Sequence, residues 1–267
     1  MGKKFTEFDT EKYYNTVETQ YQVPWNPDGS KHWGYFDDLD APDEEEVLFQ
    51  ASDRWDEYML NQSSINAESR VLDLGCGNGN TALYLAQKTG CEVVGIDISE
   101  IHIANAQEKA TNFPELNLAF EKASATNLPS KDQHFSHVWS QGTLLHIHER
   151  ELALREIYRV LGKSGILLFD DLVALVPQAS ESTLQYVYDR LHLTELFNPE
   201  SYVNALTKVG FKVLEALDLT LHMKKFYDIQ AKRVQAQFPE RSIAYQKTSE
   251  AAVAGEIGWW FYLCQKV

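Results

Sequence analysis

Three glycines at alternate positions, Gly75, Gly77 and Gly79, follow the apolar run Val71-Leu72-Asp73-Leu74. A second carboxylate, Asp97, closes the next such run, Glu92-Val93-Val94-Gly95-Ile96-Asp97. Glycines let a chain leave a buried strand through a sharp turn, and the helix that follows offers its unpaired N–H groups to a ligand. Asp97 falls at the carboxyl end of the second strand, where a carboxylate accepts hydrogen bonds from ribose hydroxyls. Together these residues predict an adenosine-containing cofactor over the carboxyl edge of a parallel sheet. A dinucleotide turn, G-x-G-x-x-G, would place its third glycine at position 80, which is Asn80. An NAD-dependent oxidoreductase is therefore the weaker alternative, and a cofactor-binding protein without catalysis is another.

The series Asp73-x-Gly75-x-Gly77-x-Gly79, with Asp97-Ile98, resembles the first two motifs of the class I S-adenosylmethionine-dependent methyltransferases. The resemblance implies S-adenosyl-L-methionine as cofactor and S-adenosyl-L-homocysteine as product. It implies that Asp73 and the three glycines hold the methionine end and that Asp97 holds the ribose. Ile98 would pack on the adenine face, or else be ordinary core. In the family, a D-A-x-x-L-P stretch follows the third strand and its Asp contacts the adenine amine. This chain reads Ser124-Ala125-Thr126-Asn127-Leu128-Pro129, so the Ser124 hydroxyl or a backbone contact at Ala125 must serve in its place.

The stretch Trp139-Ser140-Gln141-Gly142-Thr143-Leu144-Leu145-His146-Ile147-His148 ends the fourth strand. It resembles the sarcosine/dimethylglycine and phosphoethanolamine methyltransferases, and the likeness runs from about residue 34 to the end of the chain. In the phosphoethanolamine enzymes the matching His pairs with an N-terminal Tyr that closes the site. That implies a catalytic or positioning role for His146, with Tyr13, Tyr14 or Tyr21 as its partner and Tyr14 the preferred one. His146 could otherwise be a helix-entry residue bonded to a backbone carbonyl. Ser140 is expected at the cofactor, and Gln141, Trp33, Tyr21 and Asp170 at the acceptor, although Asp170 could simply end its strand. His148 and Glu149 complete an H-x-H-E run, but no third ligand cluster accompanies it and no metal is expected. The N-terminal aromatic residues would form a cation–π box or, the favoured reading, a packed lid that excludes water.

These residues need a sheet to hold them. Apolar runs read as strands over 70–74, 92–97, 116–122, 135–140, 165–170, 211–219 and 257–264, alternating with helices over 81–88, 99–111, 149–161 and 199–209. The pattern predicts an α/β fold: a doubly wound, Rossmann-like, mostly parallel seven-stranded sheet with helical lid insertions. Leu152, Ile157, Val160 and Leu161 give the 149–161 helix its apolar stripe, and Gly162 is expected to end it in a left-handed turn. Residues 1–60 read as an aromatic-rich extension or lid with a helix over 43–60, and residues 61–267 as the methyltransferase core. Insertions at about 172–198 and 221–256, helical near 182–193 and 223–238, are expected as substrate lids.

A formal charge of −15 and a sequence pI near 4.9 argue against a nucleic-acid partner, since no basic stripe offsets phosphate repulsion. No apolar run reaches membrane-spanning length and no signal-peptide core opens the chain, so a cytoplasmic protein is expected, with no membrane partner. Cys76, Cys91 and Cys264 lack metal spacing and read as reduced core thiols. A small-molecule substrate is expected, on a monomer or homodimer. The leading reaction is methylation of a nitrogen of an amino acid or amine, sarcosine- or dimethylglycine-like. The alternative is an O- or C-methyltransferase of a secondary metabolite or prenylated ring. A polar pocket would favour the first and a long apolar pocket under the insertions the second. Arg190, Lys224 and Lys225 are the candidate counter-charges for an acceptor carboxylate.

Overall fold

The structure, a computed structural model, describes residues 5–21 and 29–267, except for the side chains of residues 17–21. Seven strands are present: β1 Arg70–Leu74, β2 Glu92–Asp97, β3 Leu118–Lys122, β4 Phe135–Gln141, β5 Leu161–Ala174, β6 Phe211–Asp218 and β7 Ile257–Lys266. They form one sheet in the order β3-β2-β1-β4-β5-β7-β6. Strands β1 to β5 pair in parallel, and β7 is antiparallel to both β5 and β6. The expected doubly wound sheet is therefore present, with its order reversing between β1 and β4. The carboxyl ends flanking that reversal are where open α/β sheets bind ligands.

The helices are α1 Glu7–Tyr21, α2 Glu45–Ser63, α3 Asn80–Thr89, α4 Glu100–Ala110, α5 Arg150–Val160, α6 Glu181–Thr183, α7 Pro199–Val209, α8 Thr220–Val234 and α9 Pro239–Val253. Side chains alternate along the strands to feed a core on each face. Leu168 and Leu172 of β5, with Trp259 and Phe261 of β7, join α2, α3, α8 and α9 in one core. Leu167, Phe169 and Val173, with Tyr262 and Cys264, join α5 and α7 in the other. All three cysteines are buried and unpaired. Among the described residues no helix is long and apolar enough to cross a membrane.

Several local expectations change. Gly162 does not end α5 in a left-handed turn: Leu161 is already extended (φ −71°, ψ 136°), and the positive φ falls on Ser164 (59°). β5 absorbs this irregularity as a shift in its register with β4. The helix expected near 182–193 is a single turn, α6, that widens into a π-helical segment, Leu184–Asp189. Where one helix was expected near 223–238 there are two, α8 and α9. The second starts at Pro239, whose fixed φ suits a first helical position, and its buried face interleaves Ser242, Thr248 and Ser249 with Ala244, Tyr245, Ala251 and Ala252. The boundary expected at residue 60 falls inside α2, whose Trp55 and Met59 are fully buried in the core.

Candidate active site

The turn after β1 is held from both sides. The Gly75 and Cys76 N–H groups donate to the Ile96 carbonyl at 2.8 and 2.9 Å, and Gly77 N–H donates to Asp97 Oδ2 at 3.0 Å. Asp97 Oδ1 accepts from Ser99 N–H at 2.7 Å, so one carboxylate organises the loops after β1 and β2 together. Gly75, Gly77 and Gly79 all adopt positive φ. A Cβ on Gly79 would meet Ala106 and the Phe120 ring at 2.9 Å, whereas one on Gly77 would project into open space. Gly79 thus permits close packing of α4 and β3, and Gly77 leaves backbone facing a cavity.

That cavity, about 450 Å³, is lined from the sheet side by Asp73 to Asn78, Ile96 to Ile98, Ala123, Ala125 and Thr126. Asp73 is 2% exposed and its Oδ2 has no hydrogen-bond partner. Burial, together with the charges of Asp56 and Asp97, lifts its carboxyl to about 7. A buried carboxylate oxygen waiting in a cavity beside an open glycine backbone fits the ammonium and methionine end of S-adenosylmethionine. Asp97 and Ile98 line the position expected of ribose and adenine.

From the other side the cavity is closed by α1 and by a three-residue 3-10 turn, Leu144–His146. The Tyr14 hydroxyl lies 2.7 Å from His146 Nε2, joining residues 132 positions apart. Burial, and after it the Arg150 charge, pulls the His146 imidazole down to about 3, so it stays neutral at working pH. α1 is tied down elsewhere too: Ser99 Oγ donates to Asn15 Oδ1 at 2.6 Å, and Lys122 pairs with Glu11 at 2.6 Å. Phe5 N–H donates to Thr194 Oγ1, and its ring stacks on His192 at 4.6 Å. The segment that covers the site is α1, whereas no residue of 172–198 or 221–256 lines the cavity. Val187, Leu193, Met223, Phe226 and Tyr245 of those insertions pack solidly into the core instead.

The remaining expected residues divide. Gln141 lines the cavity, but its amide is fully engaged: it donates to Asp56 at 2.8 Å and accepts from Thr81 and Trp139, each at 3.0 Å. Ser140 is sealed off and donates to the Leu74 carbonyl, stitching β4 to β1. Asp170 is sealed off as well and accepts the indole N–H groups of Trp55 and Trp259 at 2.8 and 2.9 Å. Trp33 packs on Trp259 behind the wall. Ser124 does not line the cavity and its hydroxyl bonds Thr126, while Thr126 and Ala125 do line the wall. The Tyr21 side chain lies outside the described residues, and Tyr13 rests on His192. Arg190, Lys224 and Lys225 sit away from the cavity, on Tyr186 and Thr248, on Asp228, and on the Leu39 and Ala41 carbonyls respectively. Among the described residues no His/Cys/Asp/Glu group could hold a metal ion.

His32 and Asp56 were missed by sequence reasoning. His32 lines the cavity with Nδ1 2.9 Å from the Trp33 carbonyl and Nε2 3.5 Å from Asp56. Burial disfavours its charged form, but the Asp56 carboxylate outweighs that and raises the imidazole to about 9. No spacing announces this pair, which lies 24 residues apart in sequence on a loop and on α2.

The profile of a family described as a methyltransferase domain matches residues 65–200. A glycine/sarcosine/dimethylglycine N-methyltransferase from Actinopolyspora halophila is 35% identical over 185 residues, 68% of this chain and 32% of that protein. The chain therefore spans about a third of that relative's length. A sarcosine/dimethylglycine N-methyltransferase from Halorhodospira halochloris is 32% identical over 227 residues, 81% of this chain and 76% of the relative. More distant relatives include O- and C-methyltransferases. A geranyl diphosphate C-methyltransferase from Streptomyces coelicolor A3(2), solved with S-adenosyl-L-homocysteine, superimposes with a TM-score of 0.81 over 97% of each chain at 14% identity. At that identity the superposition establishes the fold alone.

Proposed function

We propose that this chain, which belongs to the class I S-adenosylmethionine-dependent methyltransferases, methylates the nitrogen of a small polar amine or amino acid of the sarcosine/dimethylglycine kind. One observation carries the reading. The cavity ends at α1 and the Leu144–His146 turn, and the insertions that would roof a long apolar tunnel are packed solid. Among the described residues no part of those insertions extends this cavity into a tunnel, which favours a small acceptor over a prenyl chain or fused ring.

The cofactor, when bound, supplies a sulfonium-activated methyl group. Asp73 and the backbone at Gly75 and Gly77 would hold its amino-acid end, and Asp97 its ribose, with Ile98 and Ala125 beside the adenine. The chain's own task is then to align the acceptor's lone pair and keep water out, which is worth roughly 7–11 kcal/mol when geometry is well fixed. Neutral His146 and the Tyr14 hydroxyl form a dry polar pair that can take a hydrogen bond from the acceptor's N–H and aim the lone pair at the methyl. A base held as low as His146 contributes by orientation more than by bulk proton removal.

A second reading, transfer to a hydroxyl, is favoured by the charge around the site. Among the described residues the cavity is lined by Glu7, Asp73, Asp97 and Glu149 against Lys31 and the charged His32, and none of Arg190, Lys224 and Lys225 lines it to meet a carboxylate. Release of S-adenosylhomocysteine is measured with glycine, sarcosine, dimethylglycine, ethanolamine and a set of phenols and hydroxy acids. Turnover on amines is the expected result, and turnover confined to hydroxyl acceptors would replace the first reading with the second.

A further inference from the structure

Two buried charged side chains outside the cavity, Arg150 and Asp171, bond the turn that presents His146, and a third buried polar group, the Tyr202 hydroxyl, braces Asp171. Arg150, 3% exposed at the start of α5, donates from Nε to the Leu144 carbonyl at 2.9 Å and from Nη2 to the Leu145 carbonyl at 3.1 Å. Asp171, fully buried in β5, accepts Leu145 N–H at 3.1 Å on Oδ1 and the Tyr202 hydroxyl of α7 on Oδ2. The turn itself is only three residues long and closes with two backbone bonds, His146 N–H to Thr143 and Ile147 N–H to Leu144. So short a 3-10 segment does not fix its own orientation. Buried ions carry a heavy desolvation cost that an apolar filling would avoid, and here three of the five hydrogen bonds that Arg150 and Asp171 make go to this one turn.

The same guanidinium reaches further, donating from Nη2 to the Glu195 carbonyl. Residues 192–194 of that segment receive α1: Thr194 accepts Phe5 N–H, and His192 stacks on Phe5 and touches Tyr13. One buried group thus refers both halves of the Tyr14–His146 pair to the sheet, the His through its turn and the Tyr through the seat of its helix.

We propose that Arg150, Asp171 and Tyr202 are positioning residues for methyl transfer, a buried clamp that sets the Tyr14–His146 pair against the acceptor without touching it. The inference rests on the reading of His146 as a working residue. The test is a double-mutant cycle. Tyr202→Phe and Arg150→Lys are made singly and in a His146→Ala background, and kcat, KM, S-adenosylhomocysteine affinity and Tm are measured. Each single variant is expected to lower kcat about ten-fold while cofactor affinity stays within about two-fold, since small misplacements at a reacting centre have effects of that order. In the His146→Ala background the same changes are expected to cost less than about two-fold. An equal loss in both backgrounds, an equal loss of cofactor affinity, or an unaltered Tyr202→Phe enzyme would overturn the clamp. Tyr202→Phe removes one hydroxyl and keeps the packing, so it decides the matter if Arg150→Lys fails to fold. Normal turnover in His146→Ala alone would instead strike down the role given to His146, a separately visible failure.

Discussion

The two ends of the cavity are built on different principles. The end proposed for the cofactor is local: Asp73, the glycine turn and Asp97 lie on two adjacent strands within 25 residues, and backbone N–H groups donating at 2.7–3.0 Å to the Ile96 carbonyl and the Asp97 carboxylate fix the turn against β2. The end proposed for the acceptor is assembled at long range. Tyr14 meets His146 across 132 positions, and Gln141 meets Asp56 across 85. A site made of short-range backbone geometry persists wherever the two strands pair. One made of side chains from a lid helix, a loop and a turn exists only when the whole chain has folded around it. The first end suits an unvarying cofactor and the second a variable acceptor.

If that contrast is right, the two ends should fail in different currencies. The largest effect is expected at Asp97→Ala, which would remove the proposed ribose contact and also release Gly77 and Ser99. With two charge-assisted hydrogen bonds at stake, affinity for S-adenosylhomocysteine should fall about 100-fold or more by calorimetry. Less than a three-fold change would break the assignment (about 0.6 kcal/mol). At the other end, His146→Ala should lower kcat about ten-fold or more with cofactor affinity nearly intact, and Tyr14→Phe should do the same to a smaller extent. A parallel fall in affinity and kcat in both variants would erase the distinction between the two ends.

The smallest effect concerns stability. His32 is raised from an ordinary 6.5 to about 9 because the Asp56 carboxylate overcomes the burial that opposes its charge. A folded value above the unfolded one stabilises the protein fully below the unfolded value, and that stabilisation disappears as pH rises through the folded one. Tm should therefore drop between about pH 7 and 9. The buried carboxyls Asp73, Asp170 and Asp171, raised to about 7, 6 and 7 by burial, finish ionising near the lower edge of that window, so the decline toward pH 9 is the part that reports His32. In Asp56→Asn this part of the thermal profile should flatten. An equally steep decline in that variant would place the titrating group elsewhere.

How much could be read from residues alone follows the same division. The glycine turn, Asp97 and the seven strands were legible because each is a short pattern whose physics is local: apolar runs, positive φ, a carboxylate at a strand end. His146 was legible through family resemblance, and Tyr14 only as one of three candidates. Helix α1 has no sustained apolar stripe and gave no periodic signal, and α9 hid because its buried face carries Ser242, Thr248 and Ser249. Ser140 and Asp170 have side chains that suit a site, yet each serves the frame: one ties β4 to β1 and the other holds two tryptophans.

By itself the order of amino acids determined the sheet and the positive-φ glycine turn after β1, because these depend on neighbours a few bonds apart. The tertiary structure alone decided which tyrosine reaches His146, that α1 rather than the insertions closes the cavity, and that His32 carries its charge beside Asp56. Those outcomes depend on distances through space between segments far apart in the chain, and on how deeply each group is withdrawn from water.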